Sequence, residues 1–425
     1  MLFFNLFHLN GWKGRLRPLG SRIYGEVSDA SKVGVAISNE GGRAATVSFY
    51  LTDAQGANIG AGTATIPPNR QITRFLDQDP FNAPNPFEGT LTFFSDAAVG
   101  VMAVRGYINE SANFLMPYVP VVAPGETASS ILPYFSDGGG STTDAILVNP
   151  SDQTLTGSIQ FWGQGDPAAL VNVTIAGQSN NSFTYSISPR SAVRFSTTGD
   201  AVDARLGSIH VLPAQNFMTP SAFAIVSSRS EGVITSQRTI RAARAGNAFR
   251  LLASGFRIGI TMTRGERTFF AVANPTTNPV SVNVQLTTTT LPTPTLTLTS
   301  TLTIPGNGQI VSYLEDIFGD QNTNVRNGSY FGVLRITSPS PISVVGFDEL
   351  LTTGFTEPSG LEAVDENAPV PANRVVPHLA IFGGYSSSLI FFRGSDSQST
   401  SGEARFFSQD GSPVDPATVG LQSSQ

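Results

Sequence analysis

Cysteine is absent from the 425 residues, which excludes disulfides, thiolate metal centres and cysteine nucleophiles. Stability must therefore come from packing and hydrogen bonding. Because a cysteine-free chain suits a secreted prokaryotic protein as well as a cytosolic one, the redox compartment stays open. Charge is scarce too, at 13% of residues, roughly half the usual share for a globular domain. The net charge of -6 and the absence of any Lys/Arg block argue against a nucleic-acid partner, since phosphate binding relies on clustered cations. The scatter Arg238, Arg241, Arg244 and Arg250 reads as a solvated strand and loop edge.

Long apolar runs are missing. No stretch approaches the roughly 18 apolar residues of a transmembrane helix. The opening MLFFNLFHLNGWKGRLRPLG puts its apolar run ahead of its basic residues, the reverse of a signal peptide, so no signal peptide is evident and the chain is readable as a fragment. Only three histidines occur, His8, His210 and His378, never at metal-ligand spacing; the last two read as sheet-surface or turn residues. With no G-x-S-x-G elbow, nothing supports a Ser-His-Asp triad. No catalytic residues and no enzyme activity are assigned.

What is there is self-similarity. Strand-turn-strand segments begin at Val33, Ala145, Phe269 and Leu389, each an apolar strand, a turn rich in Asn, Pro, Gly or Ser, and a second, alternating strand. In the first, Val47, Phe49 and Leu51 alternate with Thr46, Ser48 and Tyr50, one face buried and one wet. A second block, a proline-initiated turn between strands, recurs from Thr65, Ser186 and Thr303 and runs into a short acidic segment. Phe75-Leu76-Asp77 and Leu314–Phe318 are expected to make one helical turn there. A third block starts at Gly89, Gly207 and Gly332. A fourth, read as closing each unit, starts at Ile131, Arg250 and Val375, with a forerunner at Arg22.

Seven or so short strands in a period of about 110 to 125 residues, measured from Asn39 to Asn149 to Asn274 to Arg393, suit a two-sheet antiparallel sandwich. The expectation is an all-β chain of tandem antiparallel, Ig-like β-sandwich domains with at most single-turn helices. Its divisions would be 1–30 as an N-terminal segment ending an incomplete repeat, 31–140, 141–262 and 263–385 as repeats, and 386–425 as a fourth, incomplete repeat. The third repeat carries an insertion, 287–303, in which ten of seventeen residues are threonine. Leu296, Leu298 and Leu302 alternate with threonine there and predict a strand rather than a glycosylated stalk. A half-sandwich exposes an apolar face and unpaired edges. It must be covered by the chain's own amino-terminal strands, a neighbouring copy or a missing remainder.

The acid pairs Asp77 with Asp79 and Glu315 with Asp316 recur at one repeat position and read as structural. Asp348 with Glu349 and Glu362 with Asp365 and Glu366 are further acid groups, and the run Asp365-Glu366-Asn367, in a proline-rich stretch, reads as an exposed linker. Calcium is the one cofactor weighed. Asp137 and Asp144 in one turn, and Asp410 and Asp415 in another, offer oxygen ligands without EF-hand spacing, on Asp-Gly and Gly-Gly dipeptides that ordinary turns also use. Sequons begin at Asn109, Asn172, Asn180 and Asn327.

The strand ending in Asn149-Pro150 or Asn274-Pro275, the IPxNxxI turn at Ile66–Ile72 and Ile304–Ile310, and the G-x-L-x-I/F-x-S start at Gly89 and Gly332 together resemble an uncharacterised repeat of bacterial secreted and cell-surface proteins. The second repeat departs from it with Ser188-Pro189 in place of Ile-Pro. The resemblance implies an extracellular or cell-surface setting and supplies no catalytic residues. Two functions follow as expectations. One is a non-enzymatic filament subunit, surface stalk or adhesin segment that self-associates head to tail through its terminal strands. The other is an array binding cell-surface glycans, which requires Tyr107, Tyr118, Tyr134, Trp162 and Tyr385 to line one face.

Overall fold

The computed structural model describes residues 2–5, 19–123, 131–242, 244–258, 264–288, 296–352, 355–361, 363–368, 375–377, 385–388 and 403–415. The chain is all-β and sandwich-like, with antiparallel sheets and, among the described residues, helices of only five and four residues at Leu314–Phe318 and Thr323–Arg326. The expected helical turn at Leu314–Phe318 is present, whereas Phe75 ends a strand and Leu76 turns into the core. No described helix is long and apolar enough to cross a membrane.

Three groups of strands share one topology. Unit 1 contains β1 (Leu19–Val27), β2 (Ser31–Ser38), β3 (Ala45–Asp53), β4 (Asn58–Ile66), β5 (Gln71–Phe75), β6 (Phe87–Ser95) and β7 (Gly100–Ile108). These form a trailing sheet β1-β6-β3-β4 and a leading sheet β5-β2-β7, joined at one corner where Val27 pairs with Lys32. Unit 2 contains β8 (Ile131–Asp137), β9 (Ser141–Val148), β10 (Leu155–Gly163), β11 (Ser182–Ile187), β12 (Ala192–Ser196), β13 (Arg205–Pro213), β14 (Ser221–Ser230) and β15 (Val233–Arg241). Its trailing sheet is β8-β13-β10-β11 and its leading sheet β12-β9-β14-β15. Unit 3 contains β16 (Gly246–Ile258), β17 (Arg264–Ala273), β18 (Val280–Thr288), β19 (Leu296–Ile304), β20 (Gln309–Tyr313), β21 (Tyr330–Thr352) and β22 (Phe355–Leu361). Here the long β21 serves both sheets: its first part, to Ile342, pairs with β16, and from Ser343 it pairs with β17. The strand expected in the threonine tract is β19, at the sheet edge against β18.

The blocks read as closing each unit open the next one. β1, which carries Arg22, pairs along its length with β6, and β8 pairs with β13. The division at residue 31 therefore falls inside unit 1, and those near 141 and 263 fall between the first and second strands of units 2 and 3. The reason is topological: a first strand adjacent in sequence to the second sits in the opposite sheet, beside the sixth, so only long-range pairing reveals its membership.

The recurring motifs have structural explanations. Asn39, Asn149 and Asn274 are each 0–1% exposed at the end of a second strand. The Asn149 amide donates to the carbonyls of Gln153, Ile187 and Ser188, and its oxygen accepts from Ser151 N–H. Asn274 donates to Asn278, Ile304 and Pro305 and accepts from Thr276 N–H. One side chain thus shapes its own turn and ties it to the proline turn, giving the carbonyls of both a donor. At the proline turn, Asn69, Arg190 and Asn307 share left-handed φ values of 58°, 63° and 55°, a region asparagine tolerates better than most residues. Gly89 and Gly332 open the sixth strand against a neighbouring backbone: a Cβ there would lie 2.0 Å from the carbonyl oxygens of Thr52 and Thr287 respectively.

Inside unit 1, Val33, Val35 and Ile37 of the leading sheet meet Val47, Phe49, Leu51, Leu91 and Phe93 of the trailing sheet. The core does not stop there. Ile146, Val148, Phe223 and Ile225, on the outer face of unit 2's leading sheet, belong to the same cluster. Likewise Phe269, Ala271, Val345 and Phe347 of unit 3 join the core of unit 2. The trailing sheets of units 1 and 2 are each covered by the next unit's leading sheet, so these sheets are layered face to face.

Candidate functional site

The side chains with unusual environments lie in these joints. Strands β9, β14 and β17 are buried on both faces, which their unbroken apolar runs AILV (145–148), AFAIV (222–226) and FFAVA (269–273) require. At roughly 1.5–3 kcal/mol for each large apolar side chain removed from water, a handful of such residues makes a rigid junction.

The joint between units 1 and 2 adds a buried polar cluster to its apolar contact. Glu26, on the outer face of β1, accepts from Arg105 Nε at 2.8 Å and Nη2 at 3.1 Å, with both side chains under 10% exposed. Ser31 Oγ donates to the same carboxylate at 2.5 Å, and Arg194 of unit 2 stands 3.6 Å away. Burial pushes the Glu26 carboxyl upward, but the Arg105 hydrogen bonds and charge, Ser31 and Arg194 outweigh it and hold the group below its ordinary range. Arg194 also pairs with Glu88 at 3.2 Å, and Arg105 donates to Gln237 of unit 2 at 3.1 Å. Arg22 crosses the joint to donate to the Asn149 carbonyl at 2.6 Å. Tyr24, packed edge-on against Phe223, is fully buried, and burial raises its hydroxyl well above the usual value.

The joint between units 2 and 3 is aromatic. Phe347 stacks on Phe269 at 4.5 Å and packs against Tyr134 at 5.0 Å, while Arg238 lies over both Tyr134 and Phe347 at 5.3 Å. Arg267 covers Tyr313 at 3.8 Å and pairs with Glu349 at 2.5 Å. Gln309 donates to the Pro133 carbonyl and accepts from Gln164. His210, on the same outer face of unit 2 as Tyr134, rests against Trp162; burial drives its imidazole down to about 4. It is a strand-surface residue, as expected, but a buried and neutral one.

The other sequence candidates are dispersed. Asp137 is buried and accepts from Gly199 N–H, with Arg205 4.0 Å away, whereas Asp144 points from β9 toward Arg105 and Arg194. These two carboxylates serve different surroundings. Asp410 accepts from Ser408 Oγ and Ser412 N–H, which lower it to about 2; Asp415 lies beyond the same turn. Among the described residues no three His, Cys, Asp or Glu side chains gather at metal-binding distance. His8 and His378 lie outside the described residues. Asp77 pairs with Lys32, and Asp348 accepts from Thr268.

Three readings change. Arg238 is 7% exposed inside a joint and Arg250 is paired with Glu366, so these two members of the arginine scatter are not at a solvated edge, whereas Arg244 is exposed. Glu366, assigned to an exposed linker, has a 5% exposed side chain held by Arg250 at 2.6 Å and Arg335 at 2.7 Å. Its backbone neighbours Val364–Asp365 pair with β16, which draws the segment onto the sheet. Among the aromatics proposed for sugar contact, Tyr118 and Tyr134 are buried, and Trp162 and Tyr107 are half-buried; the side chain of Tyr385 is outside the described set. Asn109, in one sequon, is 6% exposed, with its amide bound to the Ile234 carbonyl. The signal that sequence reasoning missed was the unbroken apolar character of the second and seventh strands, which marks burial on both faces.

No protein-family model matches the chain, and no curated protein is similar to it in sequence.

Proposed function

We propose that this is a non-enzymatic structural protein of the extracellular space or cell surface, a filament subunit or stalk whose units are copies of one repeat, joined head to tail. One observation carries the reading: the trailing outer face of one unit fits the leading outer face of the next, twice over, with different residues. A joint between unlike faces propagates; it has no internal stop, and when repeated between chains it builds a filament. The trailing outer face of unit 3 has the matching position, with Leu252 and Val333 half-buried and Phe331 45% exposed beside Arg335. The buried acids and histidine at the joints are engaged in packing and ion pairing, which suits a load-bearing role.

Negative-stain microscopy of purified protein across a concentration series tests this. Rods that lengthen with concentration are expected; particles that stay one chain long at every concentration refute assembly. Retention of length after Phe331→Glu would show that the trailing face of unit 3 is not the contact.

A further inference from the structure

The leading outer face of unit 1 is not bare. Val375 lies against it: a Cβ on Gly100, at the start of β7, would fall 2.7 Å from Val375 Cγ1 and 3.1 Å from Val375 Cβ, with Ser38 Oγ adjacent at 2.8 Å. Ser38 and Gly100 end the second strand and begin the seventh, and the corresponding edge of unit 2 is where Arg22 reaches Asn149 in the first joint. Val375-Val376-Pro377 also matches Ile131-Leu132-Pro133, the start of a trailing sheet.

A second contact lies at the turns. In the first joint, the turn between the third and fourth strands, Asp53-Ala54-Gln55-Gly56, meets the proline turn of unit 2: a Cβ on Gly56 would lie 2.9 Å from Ser188 Cβ and 3.3 Å from Pro189 O. In the second, Gln164 binds Gln309 at 2.8 Å and Ala168 faces Gly308 across the same pair of turns. The C-terminal hairpin Phe406–Phe407/Pro413–Val414 carries the turn Ser408-Gln409-Asp410-Gly411. A Cβ on Gly411 would lie 2.9 Å from Arg70 Cγ and 3.2 Å from the carbonyl oxygens of Pro68 and Asn69, which form the proline turn of unit 1. Gly56 and Gly411 have φ of 87° and 85°, and the receiving residues Asn69, Arg190 and Asn307 share one conformation. The third contact therefore reproduces the first two.

We propose that Val375–Pro377 and the hairpin of 403–415 belong to the fourth member of the stack and occupy, in the same chain, the leading face of unit 1 through the joint that links the other units. The inference goes beyond the assembly reading, because it concerns a single chain. Its consequence is that a second copy reaches this face only by exchanging the segment.

The absence of cysteine makes the test clean. The full-length double variant Gly100→Cys/Val375→Cys, oxidised at high dilution, is compared with a control pair across the first joint, Gly56→Cys/Ser188→Cys. A disulfide needs Cβ atoms roughly 3.5–4.5 Å apart, within a small shift of both placements. The expected result is a single-chain disulfide species on a non-reducing gel, formed as completely as in the control. Failure to close where the control closes overturns the proposal, as does a ladder of chains linked to one another. Should Gly100→Cys fail to fold, Arg70→Cys/Gly411→Cys probes the same contact: closure within one chain supports the proposal, and open or interchain-linked chains overturn it. The filament reading is tested apart from this on the reduced protein, in which the segment is free to exchange: absence of rods there refutes the filament reading alone.

Discussion

The two joints solve one geometric problem with opposite chemistry. Between units 1 and 2 a buried carboxylate is surrounded by two arginines; between units 2 and 3 three aromatic rings stack beneath an arginine. A buried ion pair adds little net stability but punishes misplacement, because any partner left alone is a desolvated charge. Aromatic stacking supplies area and tolerates small shifts. The carboxylate cluster therefore sets register in the first joint, while apolar packing holds both joints together.

Breaking the polar joint is expected to have the largest effect. Glu26→Ala leaves Arg105 buried without its carboxylate and should destabilise the chain by about 3–5 kcal/mol in chemical denaturation. A smaller loss from the double variant Glu26→Leu/Arg105→Met would show that the stranded charge, not the lost pair, dominates.

Phe347→Ala removes the ring between Tyr134 and Phe269 and should cost about 3–4 kcal/mol. Unlike the Glu26 variant, it should leave the salt dependence of unfolding unchanged.

The joints should also part company with pH. The folded value of His210 lies near 4, below its unfolded 6.5. Its contribution is thus complete above 6.5 and is lost as pH falls toward 4, up to about 3 kcal/mol. Glu26, held below 4.5, keeps its contribution above that value and loses it only as pH falls further. Melting measured from pH 7 to 4.5 should fall with His210 intact and flatten in His210→Gln; an unchanged slope would break the distinction.

The smallest effect is expected at a shared feature. Asn274→Ala leaves the buried Ile304 carbonyl and the carbonyls of Asn278 and Pro305 short of a donor and should cost about 2 kcal/mol, with Asn149→Ala similar, since both units use the same tie. Unequal losses would show that the joint, not the turn, sets the cost.

Much of this was legible in the residues. The alternation of Val47, Phe49 and Leu51, the proline turns and the period between Asn39, Asn149 and Asn274 led to an all-β, sandwich-like chain because strand periodicity and turn chemistry are local properties. The membership of β1 was not legible, since it depends on pairing with β6 some seventy residues away. Nor were the roles of Arg238 and Glu366. A charged side chain in a polar stretch looks solvated until the partner that buries it is known.

The sequence by itself therefore determined strands, turns and the spacing of the asparagine ties, which arise from interactions within a few residues. Only the tertiary structure decided which faces meet. An unbroken apolar strand announces that both its sides are covered, but what covers them is a contact between residues about one to two hundred positions apart, and local pattern carries no record of that distance.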